Sequence, residues 1–121
     1  MSKKIMVVDD SASVRQAVAI ALKDAGYDVV EAVDGKDGID KLGRDRVHLI
    51  ISDVNMPNMD GITMVKEIKT MPNHKFTPVI MLTTEGASKV KEAGKAAGVK
   101  AWMVKPFKPD QMLQAVKTLV P

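Results

Sequence analysis

Four short apolar runs in this sequence end in side chains that could do chemistry. Asp9-Asp10 follow Ile5 to Val8, Ser52-Asp53 follow Leu49 to Ile51, Thr83-Thr84-Glu85 follow Val79 to Leu82, and Lys105-Pro106 follow Ala101 to Val104. A fifth run, Val29 to Ala32, ends in Val33 and brings nothing of the kind. If the run ends share one place, three carboxylates (Asp9, Asp10, Asp53) meet one ammonium (Lys105), and the net charge left over matches one divalent cation. Carboxylates that close raise one another's pKa unless something neutralises them, and an all-oxygen set suits Mg²⁺. Zinc lacks ligands, because there is no Cys and His48 and His74 lie away from these run ends. Mg²⁺, a spare carboxylate, a lysine and a hydroxyl are the parts of a phosphoryl-transfer site. The cations offset charge on the phosphoryl oxygens, Thr83 donates a hydrogen bond, and an aspartate is the nucleophile. The product, an aspartyl phosphate, is a mixed anhydride that hydrolyses readily and so suits a transient signal.

Each piece alone also has a structural reading. Asp9-Asp10 could cap a helix and compensate its dipole, Asp53 could be a turn residue, and Lys105 could be a solvated lysine. Asp60-Gly61 reads as a turn capping a helix. His48 and His74 read as surface or strand-edge residues, and the nine Met as core filler. The conjunction points to function, because separate runs deliver acid, acid, hydroxyl and lysine to the same end.

The elements that must position these groups are legible from periodicity. The apolar runs are strand-length and rich in β-branched residues. Between them, Val14, Ala17, Val18, Ala21, Leu22 and Ala25 repeat with helical period until Gly26. Asp34-Gly35 opens a second helix carrying Ile39 and Leu42, and Ile62, Val65 and Ile68 mark a third. A fourth runs from about Ala87 to Ala97, with Gly94 inside it, and a fifth carries Met112, Leu113, Val116, Leu119 and Val120, with Pro109 at its first position. Strand and helix alternate five times, and continuous apolar strands are covered on both faces. The pattern predicts an α/β fold, a five-stranded parallel sheet between two helix layers. Ligands of such a sheet bind beyond the carboxyl ends of its strands, where the chemically equipped residues fall.

Composition bounds the rest. The chain has 121 residues, expected to form one domain over 1–121, and a formal charge of +3 with both signs scattered, which gives nucleic-acid binding little support. At 45% hydrophobic with four aromatics, its core must be largely aliphatic. Absent Cys excludes a disulfide framework and thiol catalysis. No apolar run reaches membrane-span length and acid arrives too early for a signal peptide, so a cytoplasmic protein without membrane association is expected. Without a heptad or an obvious apolar stripe, a monomer is expected.

With Val7-Val8-Asp9-Asp10-Ser11, Ile51 through Gly61, Met81-Leu82-Thr83-Thr84-Glu85 and Val104-Lys105-Pro106-Phe107, the whole chain resembles the receiver domains of two-component response regulators. It looks most like their single-domain chemotaxis type, the CheY type. The resemblance implies a flavodoxin-like (βα)5 fold with strand order 2-1-3-4-5. It implies Asp53 as phosphoacceptor from a kinase phosphohistidine. One Mg²⁺ would be held by Asp10, Asp53 and the backbone carbonyl of Asn55, with Asp9 acting through a water. Lys105 would pair with the phosphoryl group and Thr83 would turn toward it. Lys105-Pro106 would be a cis peptide, and Asn55 and Glu85 would tune dephosphorylation. Trp102 stands where the family has a switch aromatic, so its movement would alter a face made of the fourth helix, fifth strand and fifth helix. The implied partners are a histidine kinase of the CheA type, a phosphatase and a downstream target, the flagellar switch among the candidates. Lys89, Lys91 and Lys95 make the fourth helix more basic than in motor-binding relatives, which argues against carrying that target over.

The expected function is therefore a phosphorylation-activated messenger that catalyses its own phosphorylation and dephosphorylation without turning over an external substrate. Alternatives within the family are a phosphate sink, a phosphorelay receiver outside chemotaxis, and a scaffold-only receiver. An aspartyl-phosphate phosphatase would need a second Asp where Asn55 stands, and a flavin module would find phosphate repelled by Asp9-Asp10.

Overall fold

In the computed structural model of the chain, β1 (Lys4–Val8), α1 (Ala12–Asp24), β2 (Asp28–Ala32), α2 (Gly35–Leu42), β3 (Leu49–Asp53), α3 (Gly61–Ile68), β4 (Val79–Thr83), α4 (Ser88–Ala97), β5 (Ala101–Val104) and α5 (Pro109–Leu119) follow one another. The structure describes residues 3–56, 58–83, 88–105 and 107–120, with the side chains of 88–91 and 93 outside that description. The strands form one sheet in the order β2-β1-β3-β4-β5, and every pairing is parallel.

Alternation along the strands builds two cores. Met6, Val8, Ile50, Val79 and Met81 point to one face and meet Leu42 of α2, Met64, Val65 and Ile68 of α3, and Ala97 of α4. Ile5, Val7, Leu49, Ile51, Ile80 and Leu82 point to the other and meet Val18 and Leu22 of α1 with Met112 and Val116 of α5. Both sides of the central strands are thus covered, the physical reason they read as unbroken apolar runs. Each fully buried aliphatic side chain contributes about 1.5–3 kcal/mol.

Helix ends match their sequence signals. Asp34 and Asp60 cap α2 and α3, accepting from the backbone N–H of Asp37 and Thr63 at 2.7 and 2.8 Å. Gly26 follows α1 with φ +97°, a left-handed conformation that suits glycine. Pro109 opens α5 behind Lys108.

Two expectations change. Ser52, Asp53 and Thr83 lie inside β3 and β4, not beyond them: Asp53 pairs with Leu82, and Thr83 with Val104. His74 is not a surface residue; it is 3% exposed. Successive turns (His74 N–H to the Met71 carbonyl, Thr77 N–H to the His74 carbonyl) fold the segment between α3 and β4 so that the imidazole points inward. Its Nε2 has no hydrogen-bond partner among the described residues. Burial lowers its pKa below the usual histidine value, and the nearby Arg46 charge lowers it further. His48 behaves as expected, exposed before β3 with Nδ1 accepting from the Lys4 backbone N–H. Among the described residues no helix is long and apolar enough to cross a membrane.

Candidate functional site

The carboxyl ends of β1, β3, β4 and β5 bring the chemically equipped residues together. One oxygen each of Asp9, Asp10 and Asp53 lies within 4.8 Å of the others, with Asp9 and Asp53 buried and Asp10 exposed. Lys105, one residue past β5, reaches back across the sheet end. Its Nζ lies 3.2 Å from Asp9 Oδ2 and 3.4 Å from Asp53 Oδ1. The lysine therefore bridges two carboxylates that would otherwise repel each other. Burial raises the Asp53 pKa; Lys105 pulls it down and the Asp9 charge pushes it up.

Local structure fixes each group. The Ser11 N–H at the start of α1 donates to Asp9 Oδ1 at 2.9 Å, and Arg15 Nη1 donates to the Asp9 backbone carbonyl at 2.8 Å. Arg15 is itself held by Glu31 of β2 through Nε at 3.1 Å. Asp53 Oδ1 accepts from the Val54 N–H at 3.0 Å. Thr83 is buried at 4% exposure, and its carbonyl accepts the Lys105 N–H at 2.7 Å. Thr83 and Met81 point to the same face of β4, and Trp102 of β5 pairs with Met81 and packs half-buried into that core. Thr83 and Trp102 therefore share one face, two residue pairs apart along the ladder. Beside the lysine, an apolar recess of about 430 Å³ runs between α1 and α5, lined by Val14, Ala17, Phe107 and Met112 among others.

The loop between β3 and α3 carries the exposed Asn55 and is pinned at its far side. Asn58, at φ +68°, donates from Nδ2 to Asp34 Oδ2 at 2.8 Å. The Gly35 N–H donates to the Met59 carbonyl at 3.3 Å. Hydrogen bonds from the Asp37 backbone and Asn58 hold the Asp34 carboxyl below its ordinary pKa. Gly61 lets α3 start directly against β3. A Cβ there would sit 2.9 Å from Met81 Sδ and closer still to the Asp53 carbonyl oxygen.

Asp9, Asp10, Asp53 and Lys105 are brought together at the sheet end, and Thr83 ends the strand next to that of Asp53. Glu85 and Pro106, and with Pro106 the expected cis peptide, lie outside the described residues, as do the side chains of Lys89 and Lys91. The sequence reading did not single out Arg15, Asn58 or Asp34's tie to Asn58. Only Arg15 carried a signal, a charged residue one position past the apolar Val14 of α1.

Comparison with known proteins gives a consistent picture. The response regulator receiver domain family matches residues 5–117. Protein PilG of Pseudomonas aeruginosa is 36% identical over 118 residues, which is 98% of this chain and 87% of PilG. The structure of Vibrio cholerae chemotaxis protein CheY4 superposes with a TM-score of 0.96 at 44% identity, covering 99% of this chain and 100% of that one. The receiver domain of the Pseudomonas aeruginosa sensor histidine kinase PA1611, solved with magnesium coordinated in its active-site cleft, superposes at 0.91 with 25% identity, covering 98% of each chain.

Proposed function

The chain belongs to the response regulator receiver domain family, and from that premise we propose that Asp53 accepts a phosphoryl group from a kinase phosphohistidine and passes the event to a partner-binding face. The observation that carries this reading is Lys105 Nζ bridging Asp9 and Asp53 at 3.2 and 3.4 Å beside the exposed Asp10. An Asp53 oxygen attacks phosphorus, the N–P bond of the phosphohistidine breaks, and the donor imidazole leaves with the bonding pair. Lys105 offsets negative charge on the transferred oxygens, and Thr83 donates its hydroxyl to one of them.

The all-oxygen set of Asp9, Asp10 and Asp53 fits Mg²⁺; in the family's arrangement Asp10, Asp53 and the Asn55 carbonyl would hold the ion and Asp9 would act through a water. Bound there, the ion would neutralise charge on the crowded carboxylates and on the phosphoryl oxygens. Dephosphorylation is a separate hydrolysis: water attacks phosphorus, the Asp53 carboxylate leaves, and the water's oxygen and a proton stay with the inorganic phosphate released, so the protein ends its own signal. Asn55 and Glu85, two residues beyond Asp53 and Thr83 in the sequence, would tune that step. No external substrate is turned over.

The shared face of Thr83 and Trp102 gives the signal a route. When Thr83 turns toward the phosphoryl group it vacates space on the face where the indole lies, and the packing of β5 under α4 changes. Phosphorylation shifts this equilibrium through its different contacts in the two states. The output is the α4-β5-α5 face, read by a downstream protein. Likeness to the chemotaxis protein CheY4 supports a chemotaxis-type messenger; the proposed form is a cytoplasmic monomer served by a histidine kinase of the CheA type and a phosphatase.

The test follows Trp102 fluorescence through a Mg²⁺ titration and then addition of acetyl phosphate or beryllofluoride, in the natural protein and in Asp53→Asn. A saturable Mg²⁺ response and a donor-dependent change that Asp53→Asn abolishes are expected. A donor response that survives in Asp53→Asn overturns the reading.

A further inference from the structure

Gly94 looks, in sequence, like a defect in α4, since a glycine inside a helix disfavours it relative to alanine. The structure gives it a different meaning. Gly94 is buried, and the Trp102 indole lies against its backbone. A Cβ added at Gly94 would stand 2.7 Å from Trp102 Cη2 and closer still to Cζ2, distances real side chains do not adopt. The six-membered ring of the indole occupies the space that any other residue at 94 would fill. Ala97 and Val99 close the same region of the core, with Val79 and Met81 beneath.

We propose that Gly94 is the seat of Trp102, a size-matched pair that docks the indole between β5 and α4 and so sets how readily these two elements change their packing. The pair answers a packing problem: an indole is larger than the ring of Tyr or Phe, and its volume is accommodated on α4 by the absence of a side chain at 94. Trp102 is only half-buried, and its far ring is the part in contact, so leaving the seat takes a rotation of one side chain rather than repacking of the sheet. A side chain at 94 evicts the indole, and the docked arrangement is lost. Resting on the phosphorylation reading above, the seat is also the position from which the indole departs when Thr83 turns toward Asp53.

Gly94→Ala tests the seat without phosphorylation. With the indole evicted, Trp102 emission moves to longer wavelength and acrylamide quenching increases. The urea midpoint, followed by circular dichroism, falls although alanine favours helix. In a Trp102→Ala background the same exchange raises the midpoint, because only the helix preference is left. Unchanged emission and quenching in Gly94→Ala, or the same sign of midpoint shift in both backgrounds, overturns the seat. The coupling is read by adding Mg²⁺ and beryllofluoride: the Trp102 response of the natural protein shrinks in Gly94→Ala, and an undiminished response overturns the coupling. Intact mass after acetyl phosphate separates the two ideas. If natural protein and Gly94→Ala both stay unmodified, the phosphorylation reading fails and the coupling with it, while the seat stands or falls on emission, quenching and the midpoint pair.

Discussion

Replacing Lys105 by Ala removes the cation that bridges Asp9 and Asp53. At an effective dielectric near 20, the two contacts of 3.2 and 3.4 Å are each attractions of about 5 kcal/mol, and two carboxylates within 4.8 Å of each other repel by at least about 3.5 kcal/mol. The net loss is smaller, because removing the ammonium recovers its desolvation and protonation of Asp53, whose pKa is already raised, relieves the repulsion. Breaking one partner of a buried pair costs 3–5 kcal/mol, roughly the ceiling for a site open to solvent at Asp10, so about 2 kcal/mol is expected. Mg²⁺ should return much of it. Lys105 and the metal compete for the same carboxylates, so the variant binds Mg²⁺ more tightly than the natural protein and gains more stability from it. Urea unfolding followed by circular dichroism, in EDTA and across a Mg²⁺ series, reads both effects. A cost below about 0.5 kcal/mol in EDTA, or equal Mg²⁺ stabilisation of the two proteins, would refute the electrostatic reasoning.

Other outcomes follow from single residues. Gly61→Ala forces a Cβ against the Asp53 carbonyl and Met81 and should lower stability by about 1–3 kcal/mol in urea unfolding; a neutral result contradicts the close approach. Asp60→Ala removes the cap of α3, with an expected cost of about 1 kcal/mol, and Asp60→Asn should recover most of it. His74 has a folded pKa below its ordinary 6.5, so the folded state binds fewer protons there than the unfolded state, and stability is lost as pH falls below about 6.5. The stability difference between the natural protein and His74→Gln should therefore narrow from pH 7 to pH 5, and parallel pH profiles would count against a buried neutral imidazole.

Most of the fold and the chemical groups of the site were legible because they follow from strong local signals. Short, β-branched apolar runs such as Leu49 to Ile51, alternating with helical periods, read as strands covered on both faces, and parallel strands put their carboxyl ends at one edge. The residues that end the runs must then meet, whatever the details of packing. Strand ends were misjudged by one or two residues because Asp53 and Thr83 are polar; their backbone pairing with Leu82 and Val104 depends on neighbours, not on their own side chains. His74 was misjudged for a related reason, since the turns that invert its segment leave no periodic pattern. What escaped entirely were size relations between distant residues. Gly94 reads as a helix weakness until Trp102 is placed against it, and Gly61 as a turn glycine until the Asp53 carbonyl is placed beside it. Complementary volume across a gap in sequence has no local signature.

The central claim is that Asp53, among the clustered carboxylates, carries the phosphoryl group. Borohydride reduces an acyl phosphate to the alcohol, so trapping after exposure to Mg²⁺ and acetyl phosphate, followed by peptide sequencing, identifies the acceptor directly. Homoserine at position 53 and unmodified Asp9 and Asp10 are expected, with no trapped residue when Mg²⁺ is chelated. Homoserine at position 9 or 10, or none anywhere in the Mg²⁺-loaded protein, would contradict it.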